Sequence, residues 1–220
     1  MKIWVLIPAY NEEKEIGSLL DSLKKKGLSI LVVDDGSTDS TSEIAEKKAD
    51  VMLRNDKNLG KGYALKKGIM YLLNNVDFDY LVTMDADNQH SPSDIDSFME
   101  YAKQGHAFVI GNRMEHHRGM PLIRVLTNRF MSALISCITK QKIPDSQCGF
   151  RMIRRDVLES IDIETDKFEI ESEILIKAAK KRFLIKSIPI KSIYFKDHSS
   201  KIHPLYDTFR FIRFIINLKK

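Results

Sequence analysis

Apolar residues along the chain switch between two spacings. Residues 3–8, Ile-Trp-Val-Leu-Ile-Pro, form a continuous apolar run closed by Pro8, as expected of a strand buried on both faces. Ile16, Leu19, Leu20 and Leu23 then recur at helical spacing, and Gly27 is placed to end that helix. The run 29–37 predicts a second strand opening into a turn. Asp39 or Ser40 would cap the helix that follows, with Glu43 completing a capping box. A third strand is expected at 50–54, a helix at 61–74, a fourth strand at 80–84, a helix after Pro92 and a fifth strand at 107–113. Further on, the pattern predicts a helix over 121–139. A turn, short strand and helix follow over 145–159, and then a helix turning Ile170, Ile174 and Ala178 inward.

Strand and helix alternate, which predicts an α/β fold: a Rossmann-like, mostly parallel sheet with helices on both faces. In such sheets ligands bind beyond the carboxyl ends of the strands. Polar residues gather at those ends: Tyr10-Asn11-Glu12, Asp34-Asp35-Gly36-Ser37, and Asp85 through His90. The loops at that sheet edge are the expected site.

Composition narrows the class. The 220 residues are 43% hydrophobic and 30% charged, ordinary for a soluble domain with one sizeable core. Cys137 and Cys148 are too few for a disulfide framework, which suggests a reducing compartment. Met1-Lys2 leads directly into a strand, so no leader is expected, and no apolar stretch approaches the ~20 residues that span a bilayer. The net charge of +5 is unevenly spread: residues 181–220 carry +8, leaving the first 180 near −3. A basic tail points to an anionic partner.

Asp85 and Asp87 stand two apart where a strand ends, so both carboxylates can turn toward one point outside the sheet. Two such charges repel unless a cation intervenes. Mg²⁺ or Mn²⁺ suits oxygen ligands and often shares a substrate diphosphate, and Gln89 offers a further carbonyl oxygen. A surface turn stabilised by Asp and Asn is the plain alternative. Asp35 can accept hydrogen bonds from a base or ribose beside the sharp turn at Gly36. "NLGKG" (58–62) lacks the ending of a phosphate-binding P-loop and is a weak signal by itself. Cys148 has no histidine near it in sequence and reads as packing or pocket lining, while His90, His116 and His117 do not make a zinc spacing.

Taken in order, "IPAYNEE", "VVDDGSTD", "NLGKG", "DADNQH", "GNR" and "DSQCGFR" resemble the motif series of family 2 glycosyltransferases, most closely the polyprenyl-phosphate branch that includes dolichyl-phosphate mannose synthase. The resemblance spans roughly residues 3–205. It implies a glycosyltransferase A-type fold, a GDP- or UDP-linked sugar donor and a divalent cation. By position, Pro8, Tyr10 and Glu12 match the motif that holds the nucleoside, and Val33 and Asp35 the one that contacts the base. Asp85, Ala86 and Asp87 match the metal and diphosphate motif, with Gln89 as third ligand. Arg113, Arg124 and Lys201 fall where this branch binds phosphates of donor and acceptor. The loop before Ser200-Lys201 reads "YFKDHSS" where the family carries an arginine, and Lys196 is the substitute at hand. Glu173 matches an acidic position of the family, either orienting an arginine or lysine in the pocket or lying on a solvated face.

These readings predict an enzyme that moves a sugar from its nucleotide to a polyprenyl phosphate with inversion. Arg113 and Arg124 would hold the acceptor anion, with Asp145 as base should the acceptor be a hydroxyl. A glycan hydroxyl acceptor is the nearest alternative, and a binding protein with a vestigial pocket the alternative from another class. An Asp-x-Asp phosphatase carries its acids after the first strand, not the fourth. Nucleic acid is not an expected partner, because the acidic strand ends would repel it. Residues 1–203 are expected to form the transferase domain and 204–220 a basic amphipathic helix. Leu205, Phe209, Ile212 and Ile216 stripe that helix, flanked by Arg210 and Arg213. It is expected to lie in a membrane interface, with docking on the domain or a homodimer as the alternative. The protein would then be cytoplasmic, peripheral on the cytoplasmic face of the membrane.

Overall fold

The computed structural model describes residues 1–116, 119–167, 169–191, 211 and 213–215. Seven strands form one sheet: β1 (Ile3–Ala9), β2 (Ser29–Asp34), β3 (Val51–Arg54), β4 (Tyr80–Thr83), β5 (Phe108–Asn112), β6 (Arg151–Arg154) and β7 (Ile185–Pro189). Their order across the sheet is β3-β2-β1-β4-β6-β5-β7. β1, β2, β3 and β4 pair in parallel, as do β5 and β7. β6 is antiparallel to both neighbours, β4 and β5. The expected mostly parallel α/β sheet is therefore present, with one reversed strand in the middle. From β1 the chain moves outward to β2 and β3, then returns to place β4 on the other side of β1, so the crevice opens where the order reverses.

Alternation along each strand shows why both faces are covered. Leu6, Leu31, Val33, Leu81, Phe108, Ile110 and Ile153 enter one core, and Val5, Ile7, Ile30, Val32, Val82, Val109 and Met152 enter the other. A strand with both faces buried is apolar at every position, which is what the run 3–8 displays. Helix α1 (Ile16–Lys25) and helix α4 (Ile95–Lys103) bury Leu19, Leu20, Leu23, Ile95 and Phe98 in the second core. On the first face lie α3 (Lys61–Asn75), α5 (Leu122–Thr139) and α7 (Ile170–Lys180), which bury Ile69, Leu72, Met131, Ile135, Ile174 and Leu175. Two shorter helices are α2 (Thr41–Lys48) and α6 (Arg155–Glu159).

Two local expectations change. Ser40 flanks α2 without a side-chain cap, and Glu43 does not close a capping box. Asp39 instead accepts from the Thr41 N–H at 3.0 Å, and Glu13 reaches across from the first loop to accept from the Ser40 N–H at 3.1 Å. The cap is thus shared between two loops. Second, α5 is 18 residues long with mean hydropathy 1.3, so by length and composition alone it could cross a membrane. Arg124 and Arg129 break up its apolar run in the sequence, yet Leu122, Ile123, Leu126 and Phe130 all stand exposed.

The described part of the C-terminal segment is helical, and Phe211 is only 3% exposed within the first core, with Phe214 and Ile215 packed against it. Those positions dock on the domain, where the sequence pattern suggested membrane contact. The rest of 192–220, including Lys196, Ser200 and Lys201, lies outside the described residues, as does His117. Truncating a buried phenylalanine costs about 3 kcal/mol or more. Phe211→Ala should therefore lower the melting temperature by roughly 6–12 °C at this chain length. A melt within about 1 °C of the parent would show that the segment is not part of the core.

Candidate functional site

The first two strand ends are stitched together. The Asp35 N–H donates to the Ala9 carbonyl at 2.8 Å, the Asn11 N–H to Ser37 Oγ at 2.9 Å, and the Glu12 N–H to Thr41 Oγ1 at 2.8 Å. Pro8 and Val33 are buried in their strands, while Tyr10 and Glu12 stand half-buried at the rim. The two successive acids have separate tasks. Asp34 accepts from the Ser37 N–H and Ser42 Oγ, closing its own turn. Asp35 is 3% exposed and accepts from Asn55 Nδ2 at 2.8 Å, the Leu59 N–H at 3.0 Å and the Gly60 N–H at 2.7 Å. Its carboxylate orders the "NLGKG" loop. At Gly36 (φ +73°) a Cβ would come within 2.6 Å of the Lys57 backbone, so only glycine lets these loops meet.

That ordered loop delivers Lys61, the first residue of α3, to the acid motif. Lys61 Nζ lies 2.5 Å from Asp85 Oδ1 and 3.0 Å from Glu171 Oε1 on α7. His90, 2% exposed, places Nε2 at 3.8 Å from Asp85 Oδ2 and packs its ring on Phe150. Burial would raise the Asp85 pKa, but the charge of Lys61, with help from His90, holds it well below the usual carboxylate range. Burial would likewise lower Lys61, and the charges of Asp85 and Glu171 raise it instead. Asp87 goes the other way: burial and then the neighbouring Asp85 charge push its carboxyl up, against one hydrogen bond from the Gln89 N–H at 3.1 Å. Ala86 between them is buried.

Gly149 shows how tightly this arrangement is built. A Cβ there would sit 2.9 Å from both Asp85 oxygens and from Lys61 Nζ. The absence of a side chain at Gly149 thus makes room for the Asp85–Lys61 pair. Nearby, the fully buried Arg151 guanidinium donates to the Cys148 and Ser146 carbonyls, each at 2.8 Å, and fixes the 145–151 segment. Burial pushes the Cys148 thiol up to about 12, so it stays protonated and serves as packing.

The other end of that segment makes a second charged cluster. Arg113 grips Asp145 through Nε at 2.8 Å and Nη2 at 2.9 Å, and its backbone N–H adds a third bond at 3.0 Å. Asn128 Nδ2 donates to Asp145 at 2.7 Å, and Ser132 Oγ donates to Asn128. Arg124, Asn128 and Ser132 follow one another at four-residue spacing, so half-buried Arg124 shares the face of α5 that reaches Asp145. Burial raises the Asp145 pKa, but Arg113 and Asn128 outweigh it and hold the carboxyl below its ordinary value.

Sequence reasoning missed Lys61 and Glu171. A lysine between two glycines at a helix start was the available signal for the first; nothing in the pattern marked the second. Glu173 belongs neither to a pocket nor to a solvated face. It is 1% exposed, accepts from the Glu164 and Thr165 N–H groups at 2.9 Å, and pairs with Lys177. Among the described residues no three His, Cys, Asp or Glu side chains form a closed metal cage. Asp85, Asp87 and Gln89 would offer a cation oxygen donors only, and a positive charge there would offset the raised Asp87 carboxyl. That fits a hard divalent ion completing its shell with diphosphate oxygens.

Asp145 is fully buried and ion-paired with Arg113, so removing its charge breaks a buried salt bridge. Asp145→Asn should destabilise the fold by about 3 kcal/mol near pH 7. A folded pKa below the unfolded value stabilises above about pH 4 and is lost as pH falls through the folded pKa. The gap between parent and variant in urea titrations should accordingly shrink from pH 6 to pH 3. A gap that is constant or grows with acid would contradict the pairing.

Comparisons with known proteins supply the family and the fold neighbours. Residues 4–162 match the family model described as Glycosyl transferase family 2. An uncharacterised protein of Methanocaldococcus jannaschii is 38% identical over 200 residues, covering 88% of this chain and 82% of that protein. A UDP-N-acetylglucosamine–dolichyl-phosphate N-acetylglucosaminyltransferase of Methanococcus voltae is 30% identical, covering 87% and 86%. A dolichol-phosphate mannosyltransferase of Pyrococcus furiosus is 32% identical, covering 80% of this chain and 53% of the longer relative. Among solved structures, glucosyl-3-phosphoglycerate synthase from Mycobacterium tuberculosis, in complex with Mn²⁺, UDP and glucosyl-3-phosphoglycerate, superposes with TM-score 0.75 at 20% identity, covering 98% of this chain and 79% of that one.

Proposed function

The chain belongs to glycosyl transferase family 2, and from that premise we propose that it moves a sugar from a nucleotide-sugar donor to a polyprenyl phosphate at a membrane surface. The observation that carries the acceptor assignment is the double character of α5. One face presents Arg124 in line with Asn128, which is bonded to Asp145; the opposite face exposes Leu122 at 80%, Ile123, Leu126 at 62% and Phe130. A lipid phosphate needs an anion site and an apolar surface side by side, and one helix supplies both. Relatives named for dolichyl-phosphate acceptors support the same reading.

The donor would lie over the ends of β1, β2 and β4. Tyr10, Glu12, Val33 and Asp35 would line the nucleoside end. Asp85, Asp87 and Gln89 would hold a Mg²⁺ or Mn²⁺ ion, whose chemistry is to neutralise charge developing on the leaving diphosphate. Asp85 enters this role already ionised, because Lys61 compensates it. Arg113, Arg124 and Lys201 would hold the acceptor phosphate and the diphosphate close together, which is catalysis by positioning and electrostatics. A phosphate monoester is largely ionised near pH 7, so its oxygen can attack without a general base. Both Asp145 oxygens already accept hydrogen bonds from Arg113 and Asn128. Asp145 therefore orients Arg113 in this reading, and its alternative role as base recedes. Attack opposite the leaving diphosphate inverts the anomeric carbon.

Residues 1–203 form the transferase unit in this proposal, and Phe211, Phe214 and Ile215 of the 204–220 segment pack on it. Membrane contact moves from that helix to α5, on a protein peripheral to the cytoplasmic face.

A screen of labelled GDP- and UDP-sugars with polyprenyl phosphate and a divalent cation tests the function; no transfer from any donor would refute it. Asp87→Asn should leave the melting temperature near that of the parent while cutting metal-dependent nucleoside diphosphate binding at least 10-fold by calorimetry. Two further variants separate the faces of α5. Arg124→Ala should raise KM for both long-chain and short soluble lipid phosphates, leaving donor KM nearly constant. Ile123→Glu with Leu126→Glu should weaken flotation with anionic vesicles and raise KM for the long-chain acceptor alone. Equal effects on both acceptors would remove the membrane role of the exposed face.

A further inference from the structure

The Lys61 ammonium occupies one oxygen of the Asp85 carboxylate, at 2.5 Å from Oδ1. Its position is enforced from both sides along the backbone. The Gly60 N–H is held by Asp35 at 2.7 Å, and a Cβ at Gly62 would lie 2.0 Å from the Lys167 carbonyl oxygen, so the start of α3 is wedged between two loops. The side chain is 28% exposed, bridges Asp85 and Glu171, and abuts the space that Gly149 leaves open. Glu171 also has Arg151 at 3.8 Å, so it is itself electrostatically supported.

We propose that Lys61 is a built-in counter-ion that keeps a free divalent cation off Asp85, so that cation and nucleoside diphosphate bind as a coupled pair. A bare cation meets an ammonium already seated on the oxygen it needs, and gains only Asp87 and Gln89 without competition. A cation arriving with a diphosphate brings negative charge that offsets the added positive charge and gives the ammonium another anion to face. Coupling of this kind is reciprocal: the nucleotide tightens the cation by the same factor as the cation tightens the nucleotide. Glu171 keeps the ammonium in place from the far side. The inference rests on the assignment of Asp85 and Asp87 as cation ligands.

The test uses the full chain and Mn²⁺, read by the electron paramagnetic resonance signal of the free hydrated ion, with and without UDP or GDP. In the parent protein the nucleoside diphosphate should tighten Mn²⁺ by about 5- to 150-fold. Lys61→Gln, which keeps a polar side chain but no charge, should strengthen nucleotide-free Mn²⁺ binding about 10-fold and shrink the coupling correspondingly. Lys61→Arg, which keeps the charge, should preserve the parental pattern. Nucleotide-free affinity that is unchanged or weaker in Lys61→Gln overturns the counter-ion role, while UDP- or GDP-dependent Mn²⁺ binding leaves the site assignment standing. Equal Mn²⁺ affinity in the parent with and without nucleotide overturns it too, whether or not the variant folds. Absence of Mn²⁺ binding even with both nucleotides overturns the ligand assignment and this inference together.

Discussion

A carboxylate at the end of a central strand is costly to desolvate, and Asp85 is kept ionised there by the ammonium of Lys61. The neighbouring architecture follows from that pairing. Asp35 gathers the 55–60 loop so that α3 begins at the right place. Gly149 omits the side chain that would collide with both partners. Glu171 on α7 takes the remaining side of the ammonium. Strands β2, β4 and β6 and helices α3 and α7 thus meet around one ion pair, although their residues are widely separated in the chain. Asp87, two residues on, lacks comparable compensation, and its raised carboxyl marks where a further positive charge would be stabilised.

The reversed strand β6 connects this centre to the second charged cluster. Because β6 runs between β4 and β5, the segment leading into it crosses the sheet edge from Asp145, beside Arg113, to Gly149, beneath Asp85. Arg151 pins the segment from within the core through bonds to backbone carbonyls. Buried charges without partners are destabilising, and here each has one: Asp145 with Arg113, Glu173 with Lys177 and backbone N–H groups, Arg151 with carbonyls. The spacing of the two clusters is therefore set by a segment held at both ends, at Asp145 by Arg113 and at its core end by Arg151.

Much of the fold was legible because its rules are local. The apolar run 3–8 announced a strand buried on both faces, and glycine and proline marked the helix limits to within a few residues. Sheet order was not legible, since the insertion of β6 depends on pairing between segments about 70 residues apart. Site residues divided the same way. Asp85 and Asp87 stood out because paired acids after a strand are costly without a purpose. Lys61 did not, because a lysine is ordinary until the loop that carries it is seen folded onto Asp85. Glu171 and Glu173 were indistinguishable by pattern, and only packing assigns one to the site and the other to the 164–165 loop. Nor did the pattern show how the successive acids Asp34 and Asp35 divide their work: Asp34 accepts within its own turn and Asp35 from the 55–60 loop.

The same limit explains the two amphipathic helices. Hydrophobic periodicity says that a face will be covered, not by what. In the C-terminal segment the apolar residues Phe211, Phe214 and Ile215 find the domain's own core. In α5 the opposite occurs. Val125, Met131 and Ile135 fill the core while Leu122, Ile123, Leu126 and Phe130 remain outside, although two arginines made the helix look less apolar in sequence. Large exposed apolar side chains on consecutive turns are disfavoured in water unless they meet a partner. Arg129 stands exposed on the same helix, and an arginine rimming an apolar face suits an anionic interface better than a second protein core. In the proposed function this outward face of α5 takes the membrane role that the sequence pattern had given to the C-terminal segment, and Arg124 lies on the opposite face of the same helix.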